Sequence, residues 1–292
     1  MNMIRGKYPP FLGSETGNGP AESSMFHVIP VPLERSVSYG AGAKNGPSAI
    51  LAASQQLEVY DGRSVPAEKG IHTKAPVRCG GSILEILARI TESVADSIRS
   101  RAIPVVLGGE HTVTCGVFPA FASVCRDFGV VQFDAHADLR DSYEGDPYSH
   151  ASAMKRVVDA GIPLFQIGIR SLSPPEADYR LKRRIPSLDA ELLARRGIPS
   201  KILPKSFPEN VYITFDIDVF NPALVPSTGT PEPGGIDWYA AMELLEKICV
   251  ERNIVGFDVV ELAPINKFHA PDFTAARLVY NLMGFITRKL RP

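Results

Sequence analysis

Six short, largely apolar runs of β type are spaced along the chain: Phe26 to Val31, Ile103 to Leu107, Val130 to Phe133, Leu164 to Ile169, Val211 to Phe215 and Ile254 to Val260. Longer stretches with helical spacing separate them. This alternation restricts the fold more than any other feature. A strand that is apolar at successive positions must be covered on both faces. Strands of that kind alternating with helices build a parallel sheet with a helical layer on each side, a three-layer α/β/α arrangement. The clearest helix spans Ser82 to Arg101, where Ile83, Leu84, Ile86, Leu87, Ile90, Val94 and Ile98 make one stripe against Glu85, Arg89, Glu92 and Asp96. A second helix is expected to begin at Asp237, an N-cap after Pro233-Gly234-Gly235, and a third to run from about Asp272 to the C-terminus.

At 292 residues the chain has room for one large domain or two small ones. With no internal repeat, low-complexity tract or convincing linker, the expectation is one domain over 24–292, preceded by an irregular Gly-, Pro- and Ser-rich arm over 1–23 that packs across a neighbour or stays partly mobile. A formal net charge of -1, with 45% hydrophobic and 22% charged residues, describes a soluble globular protein and points away from nucleic-acid and membrane-surface partners. No segment reaches the roughly 18 to 20 apolar residues of a membrane span, and the N-terminus has no apolar signal core. Cys79, Cys115, Cys125 and Cys249 are scattered without a C-x-x-C pair, which fits a reduced, cytoplasmic setting.

The run Val130 to Phe133 leads into Asp134-Ala135-His136-Ala137-Asp138. If the extended geometry continues, Asp134, His136 and Asp138 share one face. Two unpaired carboxylates converging there repel unless something positive lies between them, and a divalent cation is the economical answer. Two further strands end in the same chemistry, one in Gly108-Gly109-Glu110-His111 and the other in Asp216-Ile217-Asp218. If the three strands are neighbours, the site gathers His111, Asp134, His136, Asp138, Asp216 and Asp218. Four carboxylates with only two imidazoles suit two oxygen-seeking divalent ions such as Mn²⁺ better than one zinc. Two ions about 3.5 to 4 Å apart generate a nucleophile at neutral pH, so hydrolysis is the natural reaction class. The Pro- and Gly-rich stretch from Asn221 to Gly235 follows one of these strands and is read as a loop of the same site.

The motifs G-G-E-H, F-D-A-H-A-D, S-H-A, F-D-I-D, T-G-T-P-E-P-G-G and V-V-E-L-A-P occur in the order and approximate spacing of the ureohydrolases, the arginase and agmatinase family, which the chain resembles from about Val31 to the C-terminal helix. The resemblance implies a parallel sheet of about eight strands, two manganese ions per chain, release of urea from a guanidino group and a homo-oligomer, commonly a trimer or hexamer. It assigns one metal to His111, Asp134, Asp138 and Asp216 and the other to His136, Asp134, Asp216 and Asp218. It puts a proton-shuttling histidine at His150 and a guanidinium-holding carboxylate at Glu261. Glu110 is expected to orient its neighbouring ligand. His269 is a candidate for the pocket rim, whereas His27 and His72 are expected to be structural. Two departures from the family pattern, Ala151 after His150 and Val219-Phe220-Asn221-Pro222 where Leu-Asp-Pro is common, touch no ligand.

The motifs leave agmatinase, arginase, guanidinobutyrase and related guanidino-acid hydrolases open, with a non-catalytic family member as a remote alternative. The loop from Leu139 to Ser149 is expected to cross the pocket mouth. Its Asp141, Glu144 and Asp146 against Arg140 would attract an amine and repel a carboxylate, which favours agmatine over arginine.

Overall fold

The computed structural model describes residues 8–124 and 127–289. Among these, eight strands form one parallel sheet: β1 Phe26–Val31, β2 Ile71–Thr73, β3 Ile103–Gly108, β4 Phe128–Phe133, β5 Leu164–Ile167, β6 Ser187–Leu188, β7 Asn210–Asp216 and β8 Asn253–Val260. Their order is β2-β1-β3-β8-β7-β4-β5-β6. The central strands are buried on both faces, which is why they read as apolar runs without alternation. β2 and β6 close the two edges with three and two residues, too short to leave a pattern in the sequence.

Among the described residues nine α-helices accompany the strands: α1 Gly13–Thr16, α2 Gly46–Ser54, α3 Ile83–Arg99, α4 Thr114–Ala122, α5 Ala153–Asp159, α6 Pro174–Arg183, α7 Ala190–Arg196, α8 Trp238–Glu251 and α9 Ala270–Lys289. α2, α8 and α9 pack together over one face, and α3, α4 and α5 over the other, with a separate hydrophobic core beneath each set. α3 starts where its sequence says: Ser82 caps it, and Glu85 reaches back to the Ser82 N–H at 2.8 Å to complete a capping box. Leu84 departs from the expected stripe and is exposed. Asp237 caps α8 by accepting the Ala240 N–H at 2.8 Å. The expected end of the last helix beyond Lys289 lies outside the described residues, as does Cys125.

The N-terminal segment differs from the expected loose arm from residue 8 onward. Phe11 and Leu12 are fully buried, and their N–H groups donate to Thr73 Oγ1 at 2.8 Å and to Ser54 Oγ at 3.0 Å. His27 and His72 pack edge to face and hold this segment through the carbonyls of Ala21 and Gly19. The segment therefore packs on its own chain.

A further difference bears directly on the site. β4 and β7 are adjacent, but β3 is separated from β7 by β8, so the acidic strand ends come from β3, β8, β7 and β4 in lateral order. The inserted strand brings Glu261 between the ligands. All four ends point to the same rim because the sheet is parallel, and the rim of carboxyl ends is where open α/β sheets bind ligands.

Candidate active site

The register sets the floor of the site. Phe133 pairs with Phe215, which puts Asp134 and Asp216 side by side one residue further on, and Asp216 in turn pairs with Val260, next to Glu261. Beyond that point the strands stop, and the ligands converge for a reason other than alternation. β4 ends at Phe133 and Asp138 adopts a left-handed backbone with φ of 52°. Asp218 belongs to a 3₁₀ turn, Ile217–Val219, as His111 does in His111–Val113. Gly109, just before His111, is required by contact: a β-carbon there would lie 1.9 Å from the Leu33 carbonyl oxygen.

His111 is buried, with Nδ1 2.9 Å from Asp138, 3.1 Å from Asp134 and 3.6 Å from Asp216. Nδ1 is thus a buried nitrogen with three carboxylates around it and no hydrogen-bond partner among the described residues. His136 Nδ1 lies 2.9 Å from Asp218 and 3.6 Å from Asp134. Two groups result, His111 with Asp134 and Asp216, and Asp134 with His136 and Asp218, each with donor atoms within 4.8 Å of one another. Asp134 is common to both. The five donors of these two groups, with Asp138 2.9 Å from the buried His111 Nδ1, fit divalent cations, and a donor set richer in oxygen than in nitrogen, with no sulfur, suits manganese better than a nitrogen- and sulfur-seeking ion.

Without a cation the electrostatics are unfavourable to four ionised carboxylates. Burial, reinforced by the Asp134 charge, pushes Asp138 up to about 7. Burial and the charges of Asp218 and Asp134 raise Asp216 well above the carboxylate range. Asp134 moves the other way: burial opposes ionisation, but His111 and His136 hold it low. His136 is raised to about 12, since Asp218 and Asp134 outweigh its burial.

Behind the ligands lies a polar layer. His111 Nε2 is 2.8 Å from Thr214 Oγ1, which donates to Asp258 at 2.7 Å; Thr114 and Tyr212 each donate to the same carboxylate at 2.9 Å. Asp258 is fully buried. On the other side, Glu232 accepts from Ser171 Oγ at 2.9 Å and stands 4.0 Å from His136 Nε2. Through Thr214 the buried Asp258 fixes the orientation of the His111 ring, whereas Glu232 is too far from His136 for a hydrogen bond. Glu110 does not do so for His111. Its Oε2 instead accepts the N–H groups of Arg35 and Ser36 at 2.6 and 2.8 Å.

Above the floor is a cavity of about 280 Å³, lined by Asp138, Asp216, Asp218, His136, His150 and Glu261 together with Arg140, Tyr143 and the loops at Val37 to Gly40 and Thr228 to Thr230. Glu261 has φ of 63° and accepts the His111 N–H at 2.6 Å. Burial and the Glu110 charge push its carboxyl up to about 8. His150 begins a 3₁₀ turn, His150–Ser152, and its ring packs edge-on against Tyr143. Burial lowers its pKa, against the opposing charge of Glu110.

The loop acids do not build this cavity. The Asp141 side chain is 87% exposed and pairs with Lys155 and Arg156 on α5. Glu144 sits exposed in the tight turn between Tyr143 and Asp146, and Asp146 accepts the Tyr148 N–H. Of the loop's charged residues only Arg140 lines the wall, stacked on Tyr143, which lines it too, and 3.8 Å from the buried Glu176. His269 is exposed beside Asp272 and takes no part in the lining.

A family model described as the arginase family matches residues 24–284. The chain belongs to the arginase family. It is 38% identical over 268 residues to an N(1)-aminopropylagmatine ureohydrolase of Thermus thermophilus, covering 91% of each chain, and 34% identical to an agmatinase of Pyrococcus horikoshii, covering 89% of this chain and 92% of that one. The crystal structure of agmatine ureohydrolase of Thermoplasma volcanium superposes with a TM-score of 0.86 at 25% identity over 99% of this chain and 97% of that one. Arginase-family enzymes depend on metal, typically Mn²⁺, and the convergent donors described above are this chain's candidates for holding it.

Sequence reasoning on this arginase-family chain passed over Ser36, Thr214, Glu232 and Asp258. Three of them left a signal, Glu232 as the acid of the motif T-G-T-P-E-P-G-G in the loop already read as part of the site. Thr214 precedes Asp216 by two on the same strand and so shares its face, and Asp258 is an acid inside an apolar run, three residues before Glu261.

Proposed function

We propose that this chain, a ureohydrolase of the arginase family, cleaves the guanidino group of an agmatine-type amine, giving putrescine and urea when the substrate is agmatine itself. The observation that carries the reading is the pair of donor groups sharing Asp134 directly beneath a cavity that also presents Glu261 and His150. In this reading His111, Asp134, Asp138 and Asp216 hold one Mn²⁺, and His136, Asp134, Asp216 and Asp218 the other. What two divalent ions supply there is acidity for a water molecule near neutral pH.

The protein's own groups do the rest. Glu261 accepts two parallel N–H donors of the planar guanidinium, whose charge also keeps that carboxyl ionised despite its burial. His150 gives the departing nitrogen its proton.

A guanidino acid is the second reading, because Arg140 is the one Lys or Arg among the described residues of the cavity wall. Its charge is matched by Glu176, and agmatine-type substrates are the ones named for the relatives at 34 to 38% identity. These two points favour the amine, with the metal carboxylates and not Asp141 or Glu144 as the local source of negative charge. The scattered thiols fit a cytoplasmic enzyme, and the family resemblance fits a homo-oligomer with one catalytic domain over 24–292.

The test is urea release by the Mn²⁺-loaded protein from agmatine, N(1)-aminopropylagmatine, arginine and 4-guanidinobutyrate. The amines are expected to exceed both carboxylates in kcat/KM by about tenfold or more, the discrimination of one well-placed charge. A preference for either carboxylate overturns the substrate. Metal analysis giving one ion per chain in a fully active sample overturns the dinuclear assignment.

A further inference from the structure

Ser36 lies on the loop after β1, outside the cavity lining, and its hydroxyl makes two contacts with one residue. Ser36 Oγ accepts the backbone N–H of His150 at 3.0 Å and lies 3.1 Å from His150 Nδ1. The serine backbone is itself fixed, since its N–H donates to the fully buried carboxylate of Glu110 at 2.8 Å, beside the Arg35 N–H at 2.6 Å. Glu110 immediately precedes His111, so the grip on His150 is anchored to the same turn that carries a candidate metal ligand.

We propose that Ser36 is a positioning residue for proton transfer: its oxygen receives Nδ1–H of His150, which reserves Nε2 as the nitrogen that exchanges a proton with the substrate. The inference rests on the reading of His150 as the proton donor. A hydroxyl oxygen has two lone pairs, and the His150 N–H occupies one. If the hydroxyl proton pointed at Nδ1, that contact would break each time the ring became doubly protonated. With Nδ1–H as donor, the same hydrogen bond serves the neutral ring and the cation, so the ring need not turn during the reaction. When the C–N bond breaks, the departing nitrogen takes the Nε2 proton and the ring is left neutral, still holding Ser36 through Nδ1. The attacking water, which loses its protons as the urea carbonyl forms, is the source that recharges Nε2.

The experiment measures kcat and KM of the Mn²⁺-loaded enzyme, with agmatine as substrate, for Ser36→Ala, Ser36→Thr, His150→Ala and the Ser36→Ala/His150→Ala pair. Ser36→Ala is expected to lower kcat about tenfold or more with KM changed less than about threefold, because the hydroxyl acts on the ring and not on the bound ground state. Ser36→Thr retains the hydroxyl and should restore most of kcat. In the His150→Ala background the serine change should cost nothing further. An equal loss in both backgrounds, or no recovery with threonine, makes Ser36 a loop-building residue and overturns the proposal. If His150→Ala lowers kcat while Ser36→Ala does not, the Ser36 role alone fails. If His150→Ala itself leaves kcat intact, the reading of His150 falls and the Ser36 role with it.

Discussion

At the scale of single residues, the acidic floor has a consequence for pH. Asp138 and Glu261 are pushed up to about 7 and 8, and burial raises Asp216 as well, so around pH 6 the cation-free folded chain holds protons that an unfolded chain has already released. Stability then falls as pH rises from about 5 to about 8, because the folded state binds more protons than the unfolded one in that window. The raised His111 and His136 act in the same direction, and Asp134, held low, does not titrate there. Chelated protein should therefore melt at a lower temperature at pH 8 than at pH 6, and Mn²⁺ should reverse that order by displacing the protons. Thermal melts at both pH values, with and without Mn²⁺, check this; a chelated protein that gains stability with pH contradicts it. The six candidate ligands stood out in the sequence because acids and histidines close three apolar strands. The way they meet was not readable, since it depends on a left-handed Asp138 and on 3₁₀ turns at His111 and Asp218. Alternation along a strand carries no information once the strand has ended.

At the scale of elements, β7 and β8 share a buried polar rung that a pairwise view of motifs misses. Thr214 and Asp258 face each other in register, and the carboxylate collects Thr114 from α4 and Tyr212 from β7 besides. Replacing Asp258 by Asn keeps the volume but removes the charge, so the Thr214 hydroxyl loses its strongest acceptor and its hold on His111 weakens. Affinity for Mn²⁺ should drop by roughly 10- to 100-fold, the usual effect of losing a group that orients a metal-binding imidazole. Competition against a chelator of known affinity measures it, and an unchanged constant would mean that Thr214 alone orients the ring. The six long strands were legible because each is a run of apolar residues. Their lateral order was not: β8 enters between β3 and β7 although it is last in the chain, and chain order gives no hint of that insertion. The loop acids misled for a related reason. Charge can be counted along a loop, but the direction of Asp141, out to Lys155 and Arg156, is decided by α5 packing beside it.

At the scale of the whole molecule, residues 8–24 behave as part of the body. Phe11 is fully buried against Tyr280 of α9, with ring centroids 6.4 Å apart, so the start of the chain and its last helix share one core. Phe11→Ala should cost about 3 to 5 kcal/mol, the usual range for emptying a buried aromatic site. Denaturant titration of the Mn²⁺-loaded protein reads this, and a loss below about 1 kcal/mol would show that the segment docks without contributing. Composition suggested the opposite, because Gly, Pro and Ser dominate the segment while two apolar side chains do the packing. The left-handed backbones at Asp138 and Glu261 reach beyond this chain, to anyone who would graft its chemistry elsewhere. Copying the side chains onto another parallel sheet, or exchanging the flanking loops between homologues to alter the substrate, transfers the donors without the scaffold that forces two of them through a rarely visited conformation. Recombination breakpoints are safest where neither Asp138 nor Glu261 is parted from the strand that precedes it.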